Sequence, residues 1–395
     1  MKLLVVSYYF TPDLSAGSFR TQALIDALLE NNDIQIDLIT TYPHRYKTFK
    51  PNVDLNKKNI KLNVHRIKNI DYGESFFGQI LAFISFSFKV LKVTKNGKWD
   101  IVFATSSRLM TAYLGSVISK KNAIPLYLDI RDLFVDTVND LFSNTIALIV
   151  NPVLKFAEKK TFKRADTINL VSNGFNNYVS EFESNAKISN FTNGIDNIFL
   201  DFKPQEFNFI NKKFQISYIG NIGGGQALEK IIPEAALNHK EYIEFKIVGD
   251  GNAKEALEEQ ITKYNINNVT IQEPVDRASL LEIYMDSDVL FLHLDNVEAF
   301  KKVLPSKLFE YAATNKPIIA GVNGYAKEFI DQNIDNAYVF NPCDVKGFNK
   351  VIQQLRLRSF RIDRNQFCTK FSRSEIMRKM SIDILNTIYD YDKKT

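Results

Sequence analysis

The stretch from residue 299 to residue 322, AFKKVLPSKLFEYAATNKPIIAGV, holds one carboxylate close to several cations. If a helix begins at Pro305 and Ser306, Lys307 lies in its first turn. Glu310 then follows one turn later, nearly above Lys307. A carboxylate there can stay ionised and accept hydrogen bonds from both hydroxyls of a ribose, while the lysine faces a phosphate. The stretch indicates a nucleotide site, although a capping Glu beside a solvated Lys has the same sequence.

Two glycine-containing segments have the composition of turns that bind anions through their backbone. YIGNIGGGQALEK follows a predicted strand and is expected to open a helix, whose N-terminus favours negative charge. Its glycines are Gly220, Gly223, Gly224 and Gly225. It lacks both the G-x-G-x-x-G spacing and the P-loop lysine, which argues against NAD and P-loop sites. IVGDGN places Gly249, Asp250 and Gly251 at the carboxyl end of the next strand. Either segment could instead be an ordinary turn.

These segments belong to a repeated alternation of strand-like and helix-like stretches. KLLVVSY, IQIDLITT, DIVFATS and IPLYLDI have strand length in the first half, as do FQISYIG, IEFKIVGDG, VLFLHL and PIIAGV in the second. Such alternation is typical of parallel sheets covered on both faces, and 395 residues exceed one ordinary core. The predicted fold class is α/β, with two Rossmann-like, doubly wound domains facing a central cleft that binds the ligands.

The alternation lapses between residues 185 and 215, where the chain is rich in Asn, Lys and Phe. We therefore predict a first domain over residues 1–204 and a second domain over residues 205–370. Residues 371–395 have helical periodicity and are expected to pack back toward the first domain.

Composition and charge restrict the class of ligand. The chain is 45% apolar and 24% charged, with a net charge of +5 and no long cationic run. This mild basic excess suits an anionic small molecule or a lipid surface better than nucleic acid. Cys343 and Cys368 lie in no CxxC motif, so neither a disulfide framework nor a zinc site is indicated.

No metal site is predicted. Asp286 and Asp288 form a D-x-D sequence, a pattern that can bind metal, but the pair precedes a strand and would lie at the edge of the sheet away from the cleft. The histidines, which are His44, His65, His239 and His293, have no partner at ligand spacing.

Residues 76–98 form an apolar helix with a basic end, and they are predicted either to be buried or to lie on a membrane surface. Its aromatic residues are Phe76, Phe77, Phe83, Phe86 and Phe88, and its lysines are Lys89, Lys92, Lys95 and Lys98. No stretch reaches the roughly 18 apolar residues of a membrane-spanning helix. The N-terminal MKLLVVSYYFTPD is interpreted as a first strand and not as a signal peptide.

Five segments, in their order along the chain, resemble those of the retaining glycosyltransferases of family 4, which have the GT-B fold. The segments are ADTINLVSNGF, NGIDNIF, YIGNIGGGQALE, IVGDG and PSKLFEYAATNKPIIAG. The likeness extends over nearly the whole chain and is most specific in the second domain. It implies that residues 1–204 form an acceptor-binding domain and residues 205–370 a nucleotide-sugar-binding domain. It is closest to the bacterial subgroup that builds capsular polysaccharide and O-antigen, including N-acetyl-L-fucosamine transferases.

The resemblance implies roles for individual residues. Glu310 would hold the ribose, and lysines with backbone N–H groups would meet the diphosphate. The chain departs from the family at Lys302, where many relatives have Glu, and at Asn221 and Gln226, where relatives often have Arg and Lys. Lys301, Lys302 and Lys307 are the expected substitutes in the phosphate clamp. The residues predicted to bind the donor are Gly17, Gly220, Asn221, Gly223, Gly224, Gln226, Gly249, Asp250, Gly251, Lys302, Pro305, Ser306, Lys307 and Glu310, and those predicted to act in catalysis are Glu310, Lys307, Arg131 and Asp132.

In the first domain, Gly17 lies on the loop after the first strand, where this family brings backbone close to donor and acceptor. Arg131 stands at the position of a family histidine and is followed by Asp132, although the two could be only a surface pair. The resemblance implies a UDP-sugar donor, a polyprenyl-diphosphate-linked glycan acceptor, no cofactor or metal, and a cytoplasmic location at the inner face of the membrane. The alternative is a non-catalytic paralogue that serves as a binding subunit of an assembly complex.

Overall fold

The computed structural model describes residues 1–43, 60–68, 76–106, 109–133, 135, 144–210 and 212–393. The chain divides into two compact units, the first made of residues 1–193 and 373–395 and the second of residues 194–372.

The first unit is built on a parallel sheet that has seven strands within the described residues. The strands are β1 (Lys2–Val6), β2 (Gln35–Thr41), β3 (Leu62–Ile67), β4 (Ile101–Thr105), β5 (Leu126–Ile130), β6 (Thr167–Leu170) and β7 (Lys187–Ser189). Their spatial order is β3-β2-β1-β4-β5-β6-β7, so the chain order reverses between β1 and β4. Within the described residues, the helices before the second unit include α1 (Ala16–Leu29), α2 (Phe76–Val93), α3 (Leu109–Asn122), α4 (Asn144–Arg164) and α5 (Asn176–Ser180).

Side chains of β4 show that this sheet is covered on both faces. Ile101 and Phe103 belong to the core that includes side chains of α1, whereas Val102 and Ala104 point to the opposite face. There α3 approaches so closely that a Cβ added at Gly115 would overlap the methyl group of Ala104. The continuous apolar runs of the sequence are thus explained by burial on both sides.

The second unit has a six-stranded parallel sheet and a separate antiparallel pair among its described residues. The strands are β8 (Gln205–Asn208), β9 (Phe214–Asn221), β10 (Ile243–Asp250), β11 (Val269–Gln272), β12 (Val289–His293), β13 (Ile318–Gly321), β14 (Ala337–Phe340) and β15 (Ser359–Ile362). The sheet order is β11-β10-β9-β12-β13-β14, and β15 pairs with β8. The helices are α6 (Ile232–Asn238), α7 (Lys254–Lys263), α8 (Arg277–Asp286), α9 (Lys307–Ala313), α10 (Gly324–Asn333), α11 (Val345–Leu355) and α12 (Asn365–Lys370).

Both sheets confirm the prediction of two Rossmann-like α/β domains. In the second unit the core splits into one cluster with Ile216 and Phe291 and another with Ile219 and Leu290, because alternate side chains of a strand face opposite sides. The reversal of strand order falls between β9 and β12. Parallel α/β sheets bind ligands beyond the carboxyl ends of the strands at such a reversal.

The division between the units falls earlier than the boundary predicted after residue 204. Residues 194–204 belong to the second unit because Ile195 and Phe199 are fully buried in one of its core clusters. Asp196 also forms an ion pair with Arg277 of α8. At the other end of the chain, the helix α13 (Arg373–Asp392) belongs to the first unit and packs against α1.

Helix α2 has one buried and one exposed apolar face. Phe83 and Phe86 are buried and pack against Tyr8, with ring centroids 6.1 and 5.2 Å away. On the other face, Leu81, Ile84 and Phe88 are exposed, and Phe88 is 72% exposed. The side chains of residues 76 and 77 lie outside those described. Within the described ranges, no helix has both the length and the apolar character that crossing a bilayer requires.

Candidate nucleotide-sugar site

The candidate site lies at the carboxyl edge of the second sheet, where β9 and β10 end side by side. Gly220 is the register partner of Gly249, and Asn221 is the partner of Asp250. A Cβ at Gly249 would overlap the carbonyl group of Gly220, and one at Gly251 would overlap the backbone of Ile222. These glycines are therefore required by the close approach of two backbone segments.

The glycine-rich segment forms a loop and does not open a helix directly, so that expectation is wrong. Ala227 has a left-handed backbone with φ of 48°, a short 3-10 turn occupies Leu228–Lys230, and α6 begins only at Ile232. Pro233 suits the first turn of α6, because its missing N–H would have no partner there. The dipole of α6 is thus separated from the glycines by the 3-10 turn.

Two N–H groups of the glycine-rich loop are bonded to neighbouring amide side chains. The Gln226 Oε1 atom accepts from Gly223 N at 3.3 Å and from Asn221 Nδ2 at 2.8 Å. The Asn252 Oδ1 atom accepts from Gly224 N at 3.2 Å. Asn221 and Gln226 thus bind each other and the loop. The amide oxygens of Gln226 and Asn252 thus accept the hydrogen bonds that an anion bound at this loop would accept.

His293, at the end of β12, fixes the other side of this loop. The side chain is fully buried, and its Nε2 atom accepts from Cys343 N at 2.9 Å. Its Nδ1 atom therefore carries the proton and donates to the carbonyl oxygen of Gln226 at 2.7 Å. Burial lowers the pKa of His293 to about 4. From the sequence, His293 was considered only as a possible metal ligand. Its contacts with Gln226 and Cys343 were not predictable, because these residues are far from it along the chain.

Helix α9 begins at Lys307, directly after Pro305 and Ser306, whose carbonyl groups accept from Leu308 N and Phe309 N at 3.2 Å. The Lys307 side chain lies across the end of β9, since a Cβ at Gly220 would overlap it. Burial lowers the pKa of Lys307, and the charge of Glu310 opposes that shift. No described residue accepts a hydrogen bond from the Lys307 ammonium group.

The carboxylate of Glu310 is half-buried and is held from one side. The Tyr284 hydroxyl of α8 donates to its Oε2 atom at 3.1 Å, and no described residue donates to Oε1. Tyr284 is fully buried, which raises its pKa well above the usual range. The neighbouring Tyr311 hydroxyl accepts from Ile219 N at 3.1 Å and so ties α9 to β9. Neither contact was predicted from the sequence.

The predicted lysine clamp is only partly assembled around the glycine-rich loop. The Lys301 ammonium group forms an ion pair with Glu298 in the 3-10 helix Glu298–Lys302. Lys302 is half-buried at the end of that helix. The same segment contacts the loop through the ring of Phe300, which lies 2.8 Å from where a Cβ at Gly225 would be.

In the first unit, the predicted site residues lie at the carboxyl edge of its own sheet. Gly17 is buried in the first turn of α1 and not on a loop, because Ser15 already caps the helix by accepting from Ser18 N. Arg131 directly follows β5, and its backbone N–H donates to Ser106 Oγ at 2.9 Å. Asp132 is exposed beside it.

The D-x-D sequence lies at the opposite edge of the second sheet. Asp286 ends α8, and Asp288 accepts from Gln215 N at 2.8 Å just before β12. The ammonium group of the buried Lys316 is close enough to both carboxylates for them to raise its pKa against the lowering effect of burial. Within the part of the chain that the structure describes, no cluster of three or more His, Cys, Asp or Glu side chains could hold a metal.

Comparisons with known proteins support the fold of the two units. Residues 201–368 match the family model described as "Glycosyl transferases group 1". No curated protein matches the chain in sequence. Among solved structures, HepE from Anabaena in complex with UDP is 16% identical, with 100% of this chain and 99% of HepE covered and a TM-score of 0.63.

Two further similar structures come from lipopolysaccharide synthesis. WaaB, a lipopolysaccharide outer core galactosyltransferase, is 12% identical over 99% of both chains with a TM-score of 0.62. WaaG, described as a glycosyltransferase involved in lipopolysaccharide biosynthesis, is 13% identical over 99% of this chain and 98% of its own, with a TM-score of 0.58. The chain thus has the GT-B fold, and the match to the family model lies almost entirely within its second unit.

Proposed function

We propose that the protein transfers a sugar from a UDP-sugar to a polyprenyl-diphosphate-linked glycan in the synthesis of capsule or O-antigen, with retention of configuration. The observation that carries the proposal is Glu310, whose Oε2 atom is held by Tyr284 while Oε1 has no donor among the described residues. This carboxylate is on the helix that begins at Lys307, beside the end of β9. HepE, a protein of similar fold, was solved with UDP and with UDP-glucose.

In the proposed site Glu310 accepts hydrogen bonds from the ribose hydroxyls. The diphosphate replaces the amide oxygens of Gln226 and Asn252 at the N–H groups of Gly223 and Gly224, and the Lys307 ammonium group adds positive charge. These preorganised donors stabilise the diphosphate as it leaves. The reaction is proposed to need no metal ion, so activity should survive EDTA, and loss on chelation with rescue by Mn²⁺ would contradict this.

The donor test replaces Glu310 with Gln, which keeps the size of the side chain and removes its charge. Hydrogen bonds to a charged group contribute about 1.5–3 kcal/mol each, so affinity for UDP measured by calorimetry should fall at least about tenfold. Glu298→Gln is the matched control, because Glu298 is exposed and pairs with Lys301. Equal UDP affinity of the Glu310→Gln variant and the wild type would refute the site.

The proposed donor sugar is a 6-deoxy sugar such as N-acetyl-L-fucosamine. In many retaining relatives a first-domain histidine lies beside the sugar 6-hydroxyl, and Arg131 stands in its place. A site without that partner has little reason to prefer a hydroxylated sugar. Purified enzyme offered UDP-N-acetyl-L-fucosamine and UDP-N-acetylglucosamine together, with membrane lipid acceptor, should use the former. Preference for the glucosamine donor would overturn the assignment.

The acceptor is proposed to be reached from the inner face of the membrane, with α2 resting on the lipid. Of the two alternatives predicted for this helix, burial applies to Phe83 and Phe86, so these two side chains do not face the lipid. The exposed residues Leu81, Ile84 and Phe88, followed by the exposed Lys92, form the face that suits anionic lipid.

Replacing Leu81, Ile84 and Phe88 together by Ser should reduce binding to anionic vesicles while leaving the fold intact. Leu357→Ser in the second unit, where the leucine is 80% exposed, is the control. Vesicle binding that survives the triple change would exclude this face.

One observation supports the alternative of a non-catalytic binding subunit. The N–H groups of Gly223 and Gly224 already have protein partners, and Gln226 replaces a family cation. Donor hydrolysis without acceptor distinguishes the two functions, because a transferase hydrolyses its donor slowly and a binding subunit does not.

A further inference from the structure

We propose that Tyr284 is a positioning residue that orients the Glu310 carboxylate toward a ribose. The inference rests on the proposed function. It adds that the discrimination between ribose and deoxyribose depends on a tyrosine that does not itself touch the nucleotide.

The position of the Tyr284 ring is fixed on two sides. Its exposed fraction is 0%. The ring of Tyr311 packs against it edge to face, with centroids 5.8 Å apart, and the ring of Phe199 packs on it with centroids 5.7 Å apart. A buried tyrosine held in this way presents its hydroxyl in one direction. That direction leads to Glu310 Oε2, at 3.1 Å.

The segment of residues 194–204, which belongs to the second unit, also helps to hold the Tyr284 ring in place. The Arg277 guanidinium lies 5.6 Å from the centroid of the Phe199 ring. Arg277 is in turn held by an ion pair with Asp196, three residues before Phe199. Phe199 is thus held between a fixed cation and Tyr284, and the NGID sequence contributes to the orientation of Glu310 through these contacts.

Because the Tyr284 hydroxyl binds one oxygen atom of Glu310, the two oxygen atoms have different roles. A carboxylate accepts through both oxygens, and Oε2 already accepts from Tyr284. Oε1 then remains for the ribose, and the side chain loses little rotamer freedom when the nucleotide binds. Without the tyrosine hydroxyl the carboxylate can rotate, and ordering it on binding reduces affinity. This loss is largest for nucleotides that have both ribose hydroxyls and smaller for 2′-deoxynucleotides, which keep only the 3′-hydroxyl.

The experiment measures the affinity of the full-length protein for UDP and for 2′-deoxy-UDP by calorimetry, and compares their ratio between variants. Tyr284→Phe removes only the hydroxyl. We expect UDP to bind about three- to tenfold more weakly, and 2′-deoxy-UDP to change less, so that the ratio falls. Tyr127→Phe is the matched control, because Tyr127 is also fully buried and donates to a carboxylate, Asp383, at 2.9 Å in the first unit.

Both phenylalanine variants should lose thermal stability, and only Tyr284→Phe should lower the ratio. An unchanged ratio in Tyr284→Phe, with a loss of stability like that of Tyr127→Phe, would make Tyr284 structural and overturn the inference while leaving the proposed function intact. A wild-type protein that binds UDP and 2′-deoxy-UDP equally would instead refute the role of Glu310.

If Tyr284→Phe does not fold, Phe199→Leu provides a second test. It keeps the tyrosine hydroxyl but removes the ring that packs on Tyr284. The ratio should fall by a smaller factor than in Tyr284→Phe, and a ratio equal to that of the wild type would count against the inference.

Discussion

Two charged clusters, one in each unit, differ in how completely their side chains are hydrogen-bonded. In the first unit, Arg20 and Asp129 are each 2% exposed and form a two-point ion pair with distances of 2.8 and 2.9 Å. Arg20 also donates to the carbonyl groups of Phe191 and Thr192, and Asn169 Nδ2 donates to Asp129 at 2.7 Å. Both oxygens of this carboxylate therefore have partners within the unit.

In the second unit, Lys307 and Glu310 lie at the carboxyl edge of the sheet with fewer partners. Only Oε2 of Glu310 receives a hydrogen bond from a described residue, and the Lys307 ammonium group donates none to them. Polar groups that are buried and fully paired are explained by the fold alone. Groups left unpaired beside a reversal of strand order are better explained by a ligand.

The largest effect should come from breaking the paired network. Arg20→Met leaves the Asp129 carboxylate buried without its cation, and removal of one partner of a buried pair costs about 3–5 kcal/mol. Urea denaturation should show this loss. Arg378→Met is the control, since Arg378 pairs with Glu375 on an exposed surface and its loss should have little effect. A loss below about 1 kcal/mol for Arg20→Met would contradict the contrast between the units.

A second prediction concerns His293, which the second unit keeps neutral. Its pKa falls from 6.5 to about 4 on folding, so the unfolded chain binds the proton more readily between these values. The stabilisation is complete above pH 6.5 and is lost as the pH falls toward 4, by about 3 kcal/mol at 1.36 kcal/mol per pKa unit.

The measurement is the difference in unfolding free energy between wild type and His293→Gln, by urea denaturation from pH 7 to pH 4. His239, whose pKa burial also lowers, is present in both proteins, so its contribution cancels. The difference should shrink as the pH falls. A difference that does not depend on pH would show that His293 is not held neutral.

The fold could be predicted because its signals are local. Apolar runs such as KLLVV have strand length, and the relation of Lys307 to Glu310 follows from helix geometry alone. The contact of Tyr284 with Glu310 was not predictable, because it joins residues of two helices whose packing no local pattern specifies.

The orientation of α2 was open for a different reason. Phenylalanines occur on several faces of this helix, and burial of Phe86 but not Phe88 is decided by the position of Tyr8. The glycine-rich loop was expected to lead directly into a helix, but the left-handed Ala227 and the 3-10 turn intervene.

A third prediction concerns Lys307, which, unlike Arg20, has no hydrogen-bond acceptor among the described residues. Lys307→Met removes a charge whose burial already lowers its pKa, so the free energy of unfolding should stay the same or rise. Affinity for UDP should fall at least about tenfold, because a charge-assisted contact with phosphate is lost. Lys327→Met is the control, since Lys327 is exposed and pairs with Asp331. A less stable variant with unchanged affinity would make Lys307 a structural residue like Arg20.

The smallest predicted effect compares two alanines in the left-handed region, Ala123 in the first unit with φ of 51° and Ala227 in the glycine-rich loop with φ of 48°. Glycine relieves about 1–2 kcal/mol of backbone strain there and costs about 0.5–1 kcal/mol through the entropy of the unfolded chain. Ala123 is exposed, so Ala123→Gly should stabilise the protein by about 0.5–1 kcal/mol. Ala227 is fully buried, and the loss of its methyl group, about 0.8 kcal/mol, should bring Ala227→Gly close to zero. Thermal unfolding of both variants measures the difference in stability. An equal gain in stability at both positions would show that the buried methyl group of Ala227 contributes no more to stability than the exposed methyl group of Ala123.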